Sequence, residues 1–336
     1  MKNKFFSYKI FFIILVLIII FFLPIFIKNP YILDIAITVL LFAYLGNAWN
    51  IVGGYCGQVS LGHAAYFGIG AYASTILFLK FGISPWIGMI VGAIFAGLLA
   101  IILGYPSLRM KGPYFVFFTI GFAEVIKILF LNWNWVEGSR GIIIPFQNNP
   151  LNFMFFSKIP YYYIVLTFLI FGMYITHLIS RTKIGKYSIA IREDETMAEA
   201  LGIDTALYKS YAFAISAFLM AIGGTFYAQY VLFIHPDDLM SLNNSVIFML
   251  IAVGGGQGTL FGPLIGSAVI MPLWEYFRST LGGQFEGLGI AFAGFIILII
   301  GTAAPQGILG ALIKIRTRYS LSSKSNSIVR ERKDRL

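Results

Sequence analysis

Long apolar runs alternate with short polar connections along most of the chain. A helix needs about 20 apolar residues to cross the hydrocarbon core of a membrane, and ten runs approach this length. They occupy residues 10–27, 33–52, 62–79, 86–104, 113–131, 160–180, 211–233, 244–257, 259–279 and 287–303. The pattern predicts an all-α polytopic membrane protein with about ten transmembrane helices, in which residues 1–310 form the membrane domain.

Two of these predictions have alternatives. The first run follows three lysines, as the apolar part of a signal peptide does, but Pro24, Lys28 and Pro30 come after it instead of a small-residue cleavage site. We therefore predict a retained first helix. Only a cluster of glycines separates the runs 244–257 and 259–279, so this part is predicted to be a broken or re-entrant segment.

The composition agrees with a membrane protein and excludes other classes. Hydrophobic residues make up 59% of the chain and charged residues 11%, whereas soluble domains carry about a quarter charged residues. The single cysteine, Cys56, excludes an internal disulfide framework and is expected to be an inert, reduced thiol. The three histidines lack metal-ligand spacing, so neither a metal nor a cofactor is predicted.

The uneven distribution of basic residues predicts the orientation of the chain. If the N-terminus is cytoplasmic, eighteen of the 24 Lys and Arg residues fall in cytoplasmic segments and five fall in external ones. Cytoplasmic connections of membrane proteins are enriched in Lys and Arg, so both termini are predicted to be cytoplasmic. We interpret the basic tail, residues 311–336, as an anchor to anionic membrane lipid, and nucleic acid is not predicted as a partner.

A glycine-rich polar stretch, residues 53–72, interrupts the apolar pattern with six glycines. Lipid cannot hydrogen-bond to the backbone, so an unwound segment at membrane depth must be buried in protein or line a cavity. One hypothesis is an unwound segment at Gly53–Gly57 that faces a solute path, and the other is close helix packing by small residues. The candidate path residues are Gly53, Gly54, Gly57, Gln58, Ser60 and His63.

A second glycine cluster lies in the other half of the chain. A spacing of four predicts a groove for a neighbouring helix, and it is found at Gly254, Gly258, Gly262 and Gly266. The pattern G-G-x-x-G occurs at 53–57 and again at 254–258. A duplicated transporter would show such a match once in each half.

Two charged residues lie inside the fifth apolar run. Glu124 and Lys127 are three residues apart, which places them on one helix face within pairing distance. A charge within the membrane costs roughly 3 kcal/mol on insertion scales, and a pair that faces protein or water reduces this cost. The pair is interpreted either as a structural ion pair or as part of the path of a zwitterionic or polar solute.

The longest charged stretch between apolar runs is residues 181–210. Its apolar positions predict a helix from Ser188 to Leu201, and Gly202 is a suitable stop. Such a helix would lie on the bilayer or contact a soluble partner, and its mixed charges favour a protein surface over anionic lipid. The pair Gly185-Lys186 is not followed by Ser or Thr and lacks the upstream glycine of a phosphate-binding loop. ATP is therefore not expected to bind through this motif.

Four stretches of the chain resemble one family of membrane proteins. They are LGNAWNIVGGYCGQVSLGHAAYFGIGAYAS at 45–74, GFAEVIKILFLNWNWVEGSRGI at 121–142, GKYSIAIREDETMAEALGID at 185–204 and PQGILG at 305–310. In this order they resemble bacterial branched-chain amino acid ABC transporter permeases of the LivM type. The resemblance extends from about Leu41 to Gly310, which is most of the chain.

The resemblance implies a permease subunit of an importer in the bacterial cytoplasmic membrane, which moves branched-chain amino acids or related small solutes. The implied partners are a second permease, two cytosolic ATP-binding subunits and an extracytoplasmic solute-binding protein. Residues 181–210 would carry the helix that couples the permease to its ATPase. Such permeases have the pattern E-A-A-x-x-x-G, from which the present sequence departs at Thr196. The candidate coupling residues are Arg192, Glu195, Ala198, Glu199 and Gly202.

Two other functions are alternatives to an importer subunit. A proton-coupled secondary transporter would use Glu124 and Lys127 and would need no partner. A polytopic membrane enzyme would need clustered acids, nucleophiles or metal ligands near one interface. The one hint of such a cluster, His235 beside Asp237 and Asp238, is explained more simply by a solvated turn.

Overall fold

Helices account for nearly all of the regular structure. The computed structural model describes residues 21–26, 29–108, 110, 112–281 and 307–310. In chain order the helices are α1 (Pro30–Asn50), α2 (His63–Phe81), α3 (Pro85–Ser107), α4 (Pro113–Asn132), α5 (Lys158–Arg181), α6 (Lys183–Glu193), α7 (Glu195–Ala200), α8 (Thr205–Val231), α9 (Pro236–Leu239), α10 (Leu242–Gly256) and α11 (Gly262–Leu281). A π-helical turn, Ile51–Tyr55, continues α1.

Seven stretches within the described ranges are long and apolar enough to cross a membrane. They are Pro30–Tyr55, His63–Phe81, Pro85–Ser107, Pro113–Asn132, Lys158–Arg181, Thr205–Val231 and Pro236–Gly256. They coincide with predicted runs, and the chain is an all-α polytopic membrane protein. Helix α11 matches the predicted run 259–279 but contains Glu275 and Arg278, which make it less apolar. The predicted run 287–303 and most of the run 10–27 lie outside the described residues.

Local signals set the ends of several helices. Pro30, Pro85 and Pro113 occupy the first turns of α1, α3 and α4, where the missing N–H is tolerated because no helical acceptor exists for it. The side chain of Asn29 caps α1 by accepting a hydrogen bond from the N–H of Tyr31. These boundaries lie within a few residues of those that the apolar pattern predicts.

The connections between helices lie at two ends of the bundle. One end carries residues 56–62, residues 182–204 and residues 257–261. We call residues 182–204 the charged segment, and this end the charged-segment end. The opposite end carries residues 133–157 and 232–235, where two short strands, β1 (Ile142–Ile143) and β2 (Phe233–Ile234), pair antiparallel. The apolar pattern did not predict this strand pair.

Helix α8 lies at the centre of the bundle. It packs along α2 and α3 and touches α1, which in turn packs against α5, α10 and α11. Hydrogen bonds cross between these helices: the Tyr44 hydroxyl donates to Leu219 O at 2.7 Å, and Thr225 Oγ1 donates to Gly70 O at 3.0 Å. Because lipid tails are as apolar as the side chains, close packing and such hydrogen bonds hold membrane helices together.

The glycines from Gly254 to Gly266 do not form one groove on one helix. Helix α10 ends at Gly256 and α11 begins at Gly262, so a turn divides the series. The close contact is between these two helices, since a Cβ on Gly266 would lie 2.9 Å from Gly255 N. The predicted series of four therefore does not form a single groove, and these small residues bring together the two neighbouring helices of one hairpin.

The charged segment folds as two short helices, and the prediction of a single helix from Ser188 to Leu201 is wrong. The interruption is Asp194, whose backbone is extended with φ −157° and ψ 105°. Its side chain accepts a hydrogen bond from the N–H of Met197 and thereby caps α7. Aspartate competes for backbone donors in this way and therefore favours a cap over a helix interior. Gly202 follows α7 with φ +82°.

Helices α2 and α8 approach so closely that only glycine fits between them. A Cβ on Gly224 would overlap the backbone carbonyl of Phe67. We expect Gly224→Ala to push the helices apart and to lower the free energy of unfolding by about 1–3 kcal/mol. Thermal unfolding of the detergent-purified protein measures this effect. Gly121→Ala is the matched control, because a Cβ there meets no atom within 4 Å. Equal unfolding temperatures for the two variants would contradict the prediction.

Candidate functional site

The glycine-rich stretch breaks the chain at the charged-segment end of the bundle. Helix α1 passes into the π-helical turn Ile51–Tyr55, residues 56–62 are not helical, and α2 begins at His63. One of the two hypotheses from the sequence was an unwound segment at Gly53–Gly57, and the other was close helix packing. In the structure, Gly53 and Gly54 lie in the π turn, and the non-helical residues separate two spans. A π turn shifts backbone groups out of the regular α-helical pairing, which exposes carbonyls to other donors.

The two glycine clusters lie directly against each other. Asn50 Oδ1 accepts from Gly258 N–H at 2.9 Å, and Asn50 Nδ2 donates to Thr259 O at 2.9 Å. Gln257 Nε2 donates to Gly53 O at 2.6 Å. The repeated pattern G-G-x-x-G therefore marks two turns that are bound to each other by side-chain amides. We call them the first turn (residues 51–58) and the second turn (residues 256–259).

Arg192 joins the charged segment to these turns. Its Nη1 donates to Gly54 O at 2.9 Å, and its Nη2 donates to Glu193 Oε1 at 2.6 Å. Its aliphatic part covers Gly57, where a Cβ would lie 2.6 Å from Arg192 Cγ. Gly57 also has φ +69°, a conformation that favours glycine. One predicted coupling residue thus contacts two predicted path residues.

Ser60 and His63 are fully buried and connect three helices. His63 Nδ1 lies 3.0 Å from Ser60 Oγ, and His63 Nε2 lies 2.8 Å from Ser216 Oγ on α8. Because Ser216 donates its hydroxyl to Ala48 O, it must accept from Nε2–H, which leaves Nδ1 to accept from Ser60. This tautomer is assigned from the network, and a neutral ring satisfies each of these hydrogen bonds. Both predicted path side chains are enclosed by the helices.

Cys56 and Gln58 differ in their access to water. Cys56 is buried, and burial raises the pKa of its thiol to about 11, although Ser188 and Lys209 act in the opposite direction. The thiolate is the reactive form of cysteine, so the raised pKa agrees with an inert thiol. Gln58 is partly exposed. Of the three predicted polar path residues between 58 and 63, it is the one at the surface.

Most of the predicted coupling residues make contacts within their own bundle. Glu195 Oε1 lies 2.7 Å from Nζ of Lys209, whose side chain is completely buried. Glu199 accepts a hydrogen bond from Thr205 Oγ1 at 3.0 Å, and Ala198 is buried. Ala198, a predicted coupling residue, therefore packs within its own chain.

Two apolar residues of the charged segment face outward. Met197 is 64% exposed and Leu201 is 80% exposed. They are four residues apart and therefore lie on the same face, and Gly202 beside them has open space around it. Both are among the apolar positions that predicted a helix in this segment, but neither was a predicted coupling residue. The sequence pattern does not show that Met197 and Leu201 are exposed while Ala198 is buried.

The ion pair predicted on α4 is confirmed, with Lys127 Nζ 2.7 Å from Glu124 Oε1. Asp237 Oδ1, from α9, lies 3.9 Å from the same ammonium group. The Glu124 side chain is 49% exposed and that of Lys127 is 18% exposed. Helix α4 lies at the edge of the bundle and buries Phe115, Thr119 and Ala123. A charged pair thus sits on a largely apolar helix that the chain leaves mostly uncovered.

The turn around His235 has a structural role in the described structure. His235 Nδ1 accepts a hydrogen bond from the N–H of Asp237 at 3.3 Å and so caps α9. No group of three His, Cys, Asp or Glu side chains is placed to hold a metal ion in the part of the chain that the structure describes. These residues therefore give no support to an enzyme site.

Comparison with protein families decides the classification. The model of the family described as the permease component of branched-chain amino acid transport systems matches residues 31–301. The chain belongs to this family. The match includes both glycine-rich turns, the charged segment and the Glu124–Lys127 pair. No solved structure matches the chain at a significant level.

Several curated relatives are high-affinity branched-chain amino acid transport system permease proteins. LivM of Escherichia coli (strain K12) is 26% identical over 300 residues, which cover 82% of this chain and 69% of LivM. LivH of Salmonella typhimurium is 25% identical over 289 residues, 80% of this chain and 91% of LivH. BraD of Pseudomonas aeruginosa is 24% identical over 287 residues, again 80% of this chain and 91% of BraD.

The permease is therefore a transport subunit of an ABC importer and not an enzyme. It is a multi-pass protein of the bacterial inner membrane, and it works with a partner permease and with ATPase subunits. These relatives do not support the alternative of a proton-coupled secondary transporter that uses Glu124 and Lys127.

Three residues that build the site were not predicted from the sequence. Asn50 and Gln257 tie the two turns together, and Lys209 holds the charged segment to α8. Asn50 lies three residues before the first G-G-x-x-G pattern and Gln257 lies within the second, and these positions were an available signal. Lys209 gave no comparable signal, because a lysine near the start of an apolar run usually faces the membrane surface.

Proposed function

We propose that the permease carries branched-chain amino acids into the cell and receives them from an extracytoplasmic solute-binding protein. The observation that carries this proposal is the family match over residues 31–301. The three relatives described above support it, because each is named as a branched-chain amino acid permease. Two ATP-binding subunits and a second permease complete the proposed transporter.

The proposed topology has ten transmembrane helices with both termini in the cytoplasm. The positions of eighteen of the 24 Lys and Arg residues support this orientation. It places the charged-segment end in the cytoplasm, where the ATPase subunits bind. The opposite end, with the β1–β2 pair, then faces the solute-binding protein.

Uptake by vesicles that contain the complete transporter tests the solute. We expect labelled leucine to accumulate when ATP is supplied to the ATPase subunits. An excess of isoleucine or valine should suppress this uptake about tenfold, because an apolar pocket discriminates weakly against a change of one methylene. Urea and acetamide are small polar controls that should not compete. Competition by urea without competition by valine would overturn the branched-chain assignment.

The uncovered face of α4 supports a solute path along this helix. A charge against lipid costs roughly 3 kcal/mol, so the half-exposed Glu124 favours contact with protein or water in the assembled transporter. An amino acid carries one ammonium and one carboxylate group, which a Glu–Lys pair complements. We place the path between α4 and the partner permease, with Gln58 and the first turn near its cytoplasmic mouth.

The variant Glu124→Gln tests this path, since it removes the charge and keeps the shape. We expect leucine uptake to fall about tenfold, which corresponds to the loss of one hydrogen bond to a charged group. Glu275→Gln is the matched control, because Glu275 is a partly buried carboxylate on another long helix, α11. Both variants should unfold at the temperature of the parent. Normal uptake by a folded Glu124→Gln permease would remove the pair from the path.

The charged segment supports a docking surface for the ATPase. The Glu195–Lys209 pair holds the segment to α8, while Met197 and Leu201 remain exposed. Protein interfaces typically combine an apolar centre with a polar rim, and the residues around Met197 carry mixed charge. An anionic lipid surface would instead favour a basic rim. We call Met197 and Leu201 the docking pair.

The double variant Met197→Ser, Leu201→Ser tests the docking surface. We expect the ATPase subunits to be lost when the permease is purified from membranes, because the apolar anchor is gone while the buried contacts of Ala198 remain. Leu151→Ser with Phe156→Ser is the matched control, since these residues are 73% and 88% exposed at the opposite end. It should retain the ATPase subunits. Retention of the ATPase subunits by the docking variant, or an equal loss from the control, would contradict the assignment.

A second measurement tests the side of the membrane. In a Cys56→Ser background, Met197→Cys should react with an impermeant maleimide in inside-out vesicles and not in intact cells. Labelling from the outside would reverse the proposed topology. The purification tests the docking surface and the labelling tests the topology, so each proposal can fail without the other.

A further inference from the structure

One side chain contacts both glycine-rich turns and the charged segment. Arg192 lies near the end of α6 and donates through Nη1 to Gly54 O in the first turn. The same Nη1 lies against the second turn, because a Cβ on Gly258 would be 2.6 Å from it. The aliphatic part of Arg192 covers Gly57.

The two turns are the ends of four long helices. The first turn connects α1 to α2, and the second connects α10 to α11. The amides of Asn50 and Gln257 bind the turns to each other over a sequence separation of more than 200 residues. A force applied at this point therefore acts on α1, α2, α10 and α11 together.

The geometry at this point favours an arginine. Gly54 O belongs to the π turn and is oriented toward the charged segment, where a planar guanidinium with five donors reaches it and Glu193 together. A lysine ammonium is a compact point charge without this fork. Arg192 is also in the last turn of α6, where the helix dipole favours a cation.

The turns contain residues whose backbone is suited to a hinge. Gly57, Gly256 and Gly258 have φ values of +69°, +139° and +72°. Glycine adopts such conformations without the steric cost that other residues have. Hinges in proteins are a few positions at the ends of elements that absorb changes in φ and ψ. All three glycines lie within the two turns that Arg192 holds.

We propose that Arg192 is the positioning residue that transmits movement of the charged segment to the two glycine-rich turns. When the ATPase subunits move the docking pair, Arg192 carries the displacement to α1, α2, α10 and α11. The backbone of the three glycines changes its φ and ψ angles as these helices move. This inference rests on the proposed docking of the ATPase at the charged segment. It assigns to Arg192 a role toward the membrane helices, and not a contact with the ATPase.

Coupling measured in the complete transporter tests Arg192. The readout is the number of leucine molecules taken up per ATP hydrolysed in vesicles, together with the ATPase subunits retained on purification. In Arg192→Gln we expect the ATPase subunits to remain bound and to hydrolyse ATP, while the uptake per ATP falls at least tenfold. Arg192→Lys should lie between the parent and Arg192→Gln, because one donor still reaches Gly54 O.

Lys186→Gln is the matched control, since it removes one positive charge from the exposed face of the same helix. It should leave the uptake per ATP unchanged. A purely structural role of Arg192 would lower the unfolding temperature without changing this ratio in the folded complex. If the Arg192→Gln permease itself does not fold, Arg192→Lys decides, and a ratio equal to that of the parent overturns the proposal.

Two outcomes separate this inference from the docking proposal. Loss of the ATPase subunits from Arg192→Gln overturns the positioning role, because Arg192 would then belong to the docking surface. Retention of the ATPase subunits by the Met197→Ser, Leu201→Ser variant overturns the docking surface. In that case a low uptake per ATP in Arg192→Gln would still support Arg192 as the link to the turns.

Discussion

The carbonyl groups of Gly53 and Gly54 govern the arrangement at the charged-segment end. The π turn shifts them out of regular helical pairing, and both glycines are buried, so their carbonyls need donors from the protein. Gln257 and Arg192 supply those donors. An unsatisfied buried carbonyl costs about 1–3 kcal/mol, so the fold favours the arrangement in which the second turn and the charged segment both reach this point.

Glycine is needed on both sides of this contact because backbone meets backbone. A Cβ on Gly54 would lie 2.6 Å from Gly258 N, and one on Gly258 would lie 3.0 Å from Gly54 O. Any side chain at either position would separate the turns and break the hydrogen bonds of Asn50 and Gln257. Gly54 and Gly258 are therefore explained by a close contact between two helix ends. This contact requires both close packing and an irregular backbone.

The sequence was most informative where a feature is local. Apolar runs of about 20 residues identified the helices, since every membrane-spanning helix has to meet that length. The Glu124–Lys127 pair followed from a spacing of three on one helix. The contact between Asn50 and Gly258 spans 208 residues and was not predictable from periodicity. The apolar positions of a short helix do not show which of them are buried, and Ala198, a predicted coupling residue, is buried.

Some side chains of the charged segment point into the bundle and others point away from it. The contacts of the inward side chains determine how the segment can move. Glu195 is paired with a fully buried ammonium group, that of Lys209 in the first turns of the central helix α8. Leaving a buried charge without its partner costs about 3–5 kcal/mol, whereas an exposed ion pair contributes about 0–1 kcal/mol. The start of α8 and the segment therefore move together, and the freedom that remains lies at the glycine-rich turns on the other side of Arg192.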